Sequence, residues 1–399
     1  MPLPIEPDLS HPFDVVIVGA GVAGSTLALR LARLGIRVAL LDHARFPCEK
    51  LCGEFLSPEA WIVFERLGLS EAVTRLGYHP IHRIRLSTPR GRNLEARFTD
   101  PDGRPGIGLS RSALDALLVQ HARDAGTEVI EGARVGHPIV QEGRVAGVKV
   151  RHLAGEEFEV RATVTIAADG RYSGLVQRTG TTRPRSWLRP RVFGMKRHLI
   201  TTDPDAEPAG TVGLHLVPGG YGGTCRIEAP RINLCALLPE SALRRHRGDL
   251  DRLAGEQFGH NPLLSHLWLT SDAAGGWKTV SGVRVQAAVP TLPGIFYVGD
   301  SQGTIDPLGG QGMTMALLGV EVLLPFLARA LVEGGAGAPL QRAYVSAWHR
   351  RFDRRIRLCR AFHHLLLRPQ LIDLASTFPS VSSRLLVGCF HRTRDPGTS

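Results

Sequence analysis

The run Val15-Val16-Ile17-Val18-Gly19-Ala20-Gly21-Val22-Ala23-Gly24 constrains this chain more than any other segment. It reads as a buried strand that breaks into a glycine-rich turn and opens a helix. Arg37-Val38-Ala39-Leu40-Leu41-Asp42 then forms a second buried strand ending in a carboxylate. The three glycines act differently, since Gly19 permits the tight turn, Gly21 admits a pyrophosphate to the backbone, and Gly24 lets helix and strand pack closely. Ala23 belongs to the same turn. Free N–H groups at the helix start would face phosphates, and Asp42 stands where an acceptor for ribose hydroxyls is needed. A plain strand-to-helix connection would use the glycines without the whole register of strand, helix face and terminal acid. The combination predicts a bound adenosine diphosphate.

At 399 residues the chain exceeds the size at which one core stops growing, so two lobes are expected. Residues 1–12 contain prolines and acids, not a basic patch followed by an apolar core, and do not read as a signal peptide. The longest apolar stretch, Met313 to Val332, carries Glu321, Pro325 and Arg329, which argues against a transmembrane segment. The cysteines form no C-x-x-C pair and have no histidines at ligand spacing, so no metal is expected and the chain fits a reducing cytoplasm. The formal charge of +11 is spread mainly as arginine with no run of five like charges. That pattern disfavours nucleic acid and suits a charged small-molecule substrate or a nicotinamide phosphate partner.

Patterning along the chain alternates between lobes. The nucleotide-binding lobe takes residues 13–80, 108–183 and 290–335, the substrate lobe 81–107 and 184–289, and a helical C-terminal segment 336–399. Strand alternation surrounds the turn Pro89-Arg90-Gly91-Arg92, Ser110 is placed to cap a helix, and Ala133 to Val164 reads as an antiparallel meander. Ser241 to Phe258 predicts one helix inside the second lobe. The expected class is α/β: a discontinuous, doubly wound Rossmann-type domain with an inserted, mainly antiparallel β-sheet domain and C-terminal helices. Near the C-terminus, Ile356, Leu358, Phe362, Leu365, Leu366 and Leu371 lie among arginines. This pattern suits a cap on the core or cavity, with peripheral contact to an anionic membrane and a dimer face as the other readings. The oligomeric state is not legible.

Asp169-Gly170 and Gly299-Asp300 each follow a short apolar strand, which puts both carboxylates at the carboxyl edge of the sheet, where open α/β sheets bind ligands. In these motifs the chain resembles the flavoprotein group that contains aromatic hydroxylases, geranylgeranyl reductases and flavin-dependent halogenases. The resemblance implies FAD, with Gly19, Gly21 and Gly24 at its pyrophosphate and Asp42 at the adenosine ribose. It implies Arg45, Lys50, Cys52 and Gly53 beside the flavin, Arg111 near the ribitol and phosphates, and Asp169-Gly170 at both FAD and nicotinamide. It also implies that Asp300 holds the ribitol within the segment running from Gly299 through Pro307, Gly310, Gln311 and Gly312 to Met313. Apart from the resemblance, a glycine-rich loop opening a helix at Gly312 aims N–H groups at one spot. Such a helix start suits negative charge on the N1/O2 side of a reduced isoalloxazine.

The halogenase segment Trp-x-Trp-x-Ile-Pro is missing from the sequence. The reductase segment Tyr-x-Trp-x-Phe-Pro would align near Gly219 to Thr224, where Tyr221 alone remains and Gly223 replaces the tryptophan. The expectation is therefore an NAD(P)H-using monooxygenase that hydroxylates a phenolic or polyketide-like secondary metabolite through a flavin C4a-hydroperoxide. Reduction of isoprenoid or lipid double bonds is the alternative, and a non-catalytic flavin-binding protein is a third reading. His215, Tyr221 and Arg226 are the substrate-side candidates, although a satisfied core or edge histidine is the preferred reading of His215. Cys52 fits a small residue packed on the cofactor, or a redox-active or attachment thiol. No residue is assigned as a catalytic base.

Overall fold

A computed structural model describes residues 11–98, 102–153, 155–184, 192–283, 285–366, 368–377 and 388. The expectations for the first ten residues and for a helix continuing to Phe390 fall largely outside the described residues.

The apolar run at residues 13–18 is a central strand, Phe13–Val18, because it is covered on both faces. The parallel strands stand in the order Glu128–Glu131, Val38–Asp42, Phe13–Val18, Glu157–Ala167, Ile295–Tyr297. Burial on two faces explains why the central strands Phe13–Val18 and Val38–Asp42 lack polar alternation. On one face Val15, Ile17 and Leu40 meet the helices Val22–Ala32, Arg111–Asp124 and Gly312–Val332. On the other, Val16, Ala39 and Leu41 meet Val145, Val148 and Val150 of the meander. Strand Glu157–Ala167 serves both layers. Its first half pairs antiparallel with Arg144–His152, and its second half pairs parallel with the first strand.

The second lobe is an eight-stranded sheet in which Val192–Thr201, Arg231–Pro239, Gly220–Arg226, Thr211–Val217 and Arg83–Ser87 are successive neighbours. Phe193, Met195, Leu234, Ala236 and Leu238 bury one face against the helices Leu250–Gly259 and Pro262–Leu269. The opposite face turns toward the first lobe. The single helix expected at 241–258 is two, Glu240–Arg245 and Leu250–Gly259. They are separated where Arg247 and Gly248 take φ of 53° and 85°, outside the helical region. Gly106–Gly108, expected at the edge of the substrate lobe, instead pairs with Phe55–Leu56 and His79–Ile81 in a small sheet of its own.

The C-terminal helix Ala338–Leu366 completes the first core, with Tyr344, Trp348 and Phe352 buried in it. Tyr344 Oη donates to Tyr297 O at 2.7 Å and Gln341 Nε2 to Ile295 O at 2.6 Å. Helix Gly312–Val332 is long and apolar enough to cross a membrane by length and composition. Here Leu317, Val320, Leu323 and Leu327 lie inside the core, and Glu321 is 3.4 Å from Arg30 and 3.2 Å from Arg66.

Candidate flavin site

Between the lobes lies a cavity of about 1080 Å³. That exceeds the roughly 300–1,000 Å³ usual for small-ligand sites, leaving room for a dinucleotide and more. The carboxyl ends of three parallel strands open into it, at Val18-Gly19, Leu41-Asp42 and Ala168-Asp169, joined by Gly299-Asp300.

At the nucleotide end the glycines divide by role. Gly19 sits at φ +105°, and a Cβ there would lie 2.3 Å from Ala168 O; a Cβ on Gly24 would lie 1.8 Å from Gly19 O. Both are demanded by packing, and Gly24 does not line the cavity. Gly21 does line it, facing Arg111 Nη2 and Lys50 Nζ at 3.4 and 3.8 Å from its would-be Cβ. Asp42 Oδ2 accepts from Ala20 N, and its Oδ1 accepts from Ala44 N, both at 2.8 Å, so the acid also ties two strand ends together. Asp115 lies outside every sequence motif and joins the site only in the folded chain. It is fully buried and takes both Arg111 Nε and Nη2 at 2.8 and 2.7 Å, while Lys50 Nζ lies 3.6 Å away. Ser110 caps this helix as expected, accepting from Ala113 N. Two cations thus stand side by side over Gly21, held by buried acids and aimed where a diphosphate would lie.

At the other end Pro307, Gly310, Gln311, Gly312, Met313 and Ala23 line the cavity. Gln311 precedes helix Gly312–Val332, and both its Oε1 and Nε2 are buried with no hydrogen-bond partner. An unmet buried amide costs about 1–3 kcal/mol. Its donor and acceptor suit the ring carbonyl and N–H groups of a flavin, and the residues present fit FAD. Ser301 Oγ joins the motifs, accepting from Gly170 N at 2.9 Å and lying 3.3 Å from Asp169 Oδ1. Burial pushes the Asp169 carboxyl up. Asp300 Oδ2 lies 3.5 Å from Arg171 Nη2, a cavity residue that sequence reasoning missed.

The cavity wall between the two ends is the segment Lys50-Leu51-Cys52-Gly53, followed by buried Glu54. Glu54 Oε1 accepts from Lys196 Nζ at 2.5 Å and Oε2 lies 2.7 Å from His198 Nε2. Burial opposes ionisation of Glu54, but His198 and Lys196 outweigh it and hold the carboxyl below its ordinary value. Neither Lys196 nor His198 was expected at the site. The available signal was the polar triplet Lys196-Arg197-His198 inside a mainly apolar strand, where alternation puts Lys196 and His198 on one face.

On the second-lobe side Tyr221 lines the cavity, with Ile84, Val212, Leu214, Leu237, Val280 and Val283. His215 and Arg226 do not. Strand alternation turns Val212 and Leu214 inward and His215 toward the covering helices, where it lies 2.8 Å from Ser87 Oγ and 3.0 Å from Thr224 Oγ1. Burial pushes His215 down to about 3, leaving a neutral core histidine. Arg226 shares that outer face and donates from Nε to Glu207 O at 2.6 Å. Arg45 is exposed and also lies off the cavity.

Comparison with known proteins agrees with this geometry. A family described as FAD binding domain matches residues 12–224, over half of the chain. Digeranylgeranylglycerophospholipid reductase 2 of Methanopyrus kandleri is 29% identical over 86% of this chain and 83% of its own length. Squalene epoxidase 1 of Arabidopsis thaliana is 25% identical over 82% of this chain and 61% of its own. A flavin-dependent brominase superposes with a TM-score of 0.80 at 18% identity, covering 96% of this chain and 94% of its own, which establishes a shared fold. With the strand-end glycines, the paired cations and the unmet Gln311 amide on one cavity, the chain belongs to the FAD binding domain family and is an FAD-dependent oxidoreductase.

Proposed function

We propose that the protein reduces carbon–carbon double bonds of a long, apolar, isoprenoid-like substrate with electrons from NAD(P)H. One observation carries this reading: among the described residues, the second-lobe part of the cavity lining bears no charged side chain. The wall offers Val212, Leu214, Leu237, Val280 and Val283, and the protic groups of Tyr221 and Cys235. Burial pushes Tyr221 well up and Cys235 up to about 12, so both stay neutral. A phenolic substrate attacked as its phenolate would call for a base or a cation here, which turns the expectation of phenol hydroxylation toward lipid reduction. The archaeal reductase, whose name specifies a lipid with geranylgeranyl chains, supports the same reading.

FAD, when bound, would carry hydride equivalents between nicotinamide and substrate. The chain supplies the surroundings. Lys50 and Arg111 would hold the diphosphate and Asp42 the ribose, while the helix start at Gly312 and the Gln311 amide would stabilise negative charge on the ring. The apolar wall excludes water and charged molecules from the reacting bond. Cys52 and Tyr221 both line the cavity, and burial pushes each group up, so they keep their protons at Sγ and Oη.

The deciding experiment supplies FAD-loaded protein with NADPH or dithionite and a geranylgeranyl lipid under anaerobic conditions. The expected product has gained two hydrogens per double bond. Product that forms only in oxygen and carries one labelled oxygen atom would overturn reduction in favour of oxygen insertion, the reading that the squalene epoxidase relative supports.

A further inference from the structure

We propose that Glu54, Lys196 and His198 form a latch through which the strand-rich lobe positions the cavity segment Cys52-Gly53. These are positioning residues, and their consequence for the cofactor rests on the flavin reading above.

The latch is a cluster of three anchors on a short stretch of chain. Lys196 Nζ donates to the Glu54 carboxylate at 2.5 Å and to Lys50 O at 3.3 Å, and Asn233 Nδ2 donates to Cys52 O at 3.1 Å. His198 Nε2 closes on the second carboxylate oxygen at 2.7 Å. Lys196 and His198 leave one face of Val192–Thr201, the face of cavity-lining Gly194, and pair across the sheet with Cys235 and Asn233. All three latch side chains are 1% exposed or less.

Two features show why a latch is needed. Glu54 adopts φ 54°, a left-handed conformation that is unfavourable for a non-glycine residue and persists only where surrounding contacts impose it. The same carboxylate also accepts from the backbone N of Arg111 at 2.9 Å. One buried acid therefore fixes both the Cys52-Gly53 segment and the start of the helix whose arginine faces the diphosphate position. A buried ion pair contributes little net stability relative to apolar packing, whereas breaking one side of it leaves a costly unpaired charge. Its distinctive effect here is geometric.

The test uses the full-length protein without added flavin. Iodoacetamide alkylation is followed by peptide mass spectrometry, comparing Cys52 with Cys359, which is buried in the C-terminal helix far along the chain. In wild type both should react slowly. E54Q and H198A should raise the Cys52-to-Cys359 ratio about tenfold, as local opening demands, while K196R, which keeps the cation, stays near wild type. Should E54Q fail to fold, H198A decides, because it removes one bond to the Glu54 carboxylate and leaves the pair with Lys196. A ratio within twofold of wild type in folded E54Q or H198A overturns the latch, as does equal acceleration of both cysteines, which signals global loosening. A parallel titration with FAD separates the two ideas: no flavin binding by wild type refutes the cofactor reading and leaves the alkylation result to judge the latch.

Discussion

Gly21 and Gly24 sit in one turn, yet a Cβ on Gly24 would collide with backbone while one on Gly21 would meet only flexible cation tips. G24A is expected to abolish folding in expression and circular dichroism assays. G21A should fold with a wild-type thermal midpoint and bind FAD at least about tenfold more weakly, measured by flavin fluorescence quenching. Glu207 is buried beside Thr224, and burial pushes its carboxyl up to about 7. Its ordinary value of 4.5 governs the unfolded chain, so between 4.5 and about 7 the unfolded state releases a proton that the folded state retains. Stability attributable to this group therefore falls as pH rises through that window and is flat above it. E207Q should gain roughly 2–3 kcal/mol over wild type at pH 8 in urea unfolding and nothing at pH 4. A gain independent of pH would contradict the assignment.

At the scale of elements, the sequence was most informative where periodicity had one meaning. The strands Phe13–Val18 and Val38–Asp42 and the capped helix Arg111–Asp124 follow directly from apolar runs and a serine at the right place. Alternation in Thr211–Val217 defines two faces but not which one meets the cavity, and for that reason His215 lies on the side opposite to expectation. The helix Pro369–Ala375 shows the same ambiguity. Ile372 packs with Leu86, Leu214 and Tyr221, while Leu371 and Leu374 are exposed. Asp373 pins this helix to the hairpin of the second lobe, with Thr88 Oγ1 at 2.6 Å and Arg90 Nε at 3.6 Å. D373A should release the helix and accelerate chymotryptic cleavage after Leu371 and Leu374, leaving the thermal midpoint of the main transition in place. Unchanged digestion would show that Ile372 alone seats it.

For the whole molecule, the cavity is the shared product of two cores and should couple them. A ligand that binds only the folded state at a hundred times its dissociation constant adds about 2.7 kcal/mol. FAD should accordingly raise the melting temperature of the apoprotein in differential scanning fluorimetry, with a dose response that G21A blunts. The sequence by itself determined the parallel sheet, its glycine turn and the acids at its edge, because strand burial and tight-turn sterics are local and leave their mark in consecutive residues. Only tertiary structure decided that Lys196, His198 and Asn233 would close on Lys50 to Glu54, and that His215 and Arg226 would face away from the site. Those outcomes depend on which face of a distant strand is covered by helices and which is left to the other lobe, a choice made by packing between segments more than a hundred residues apart.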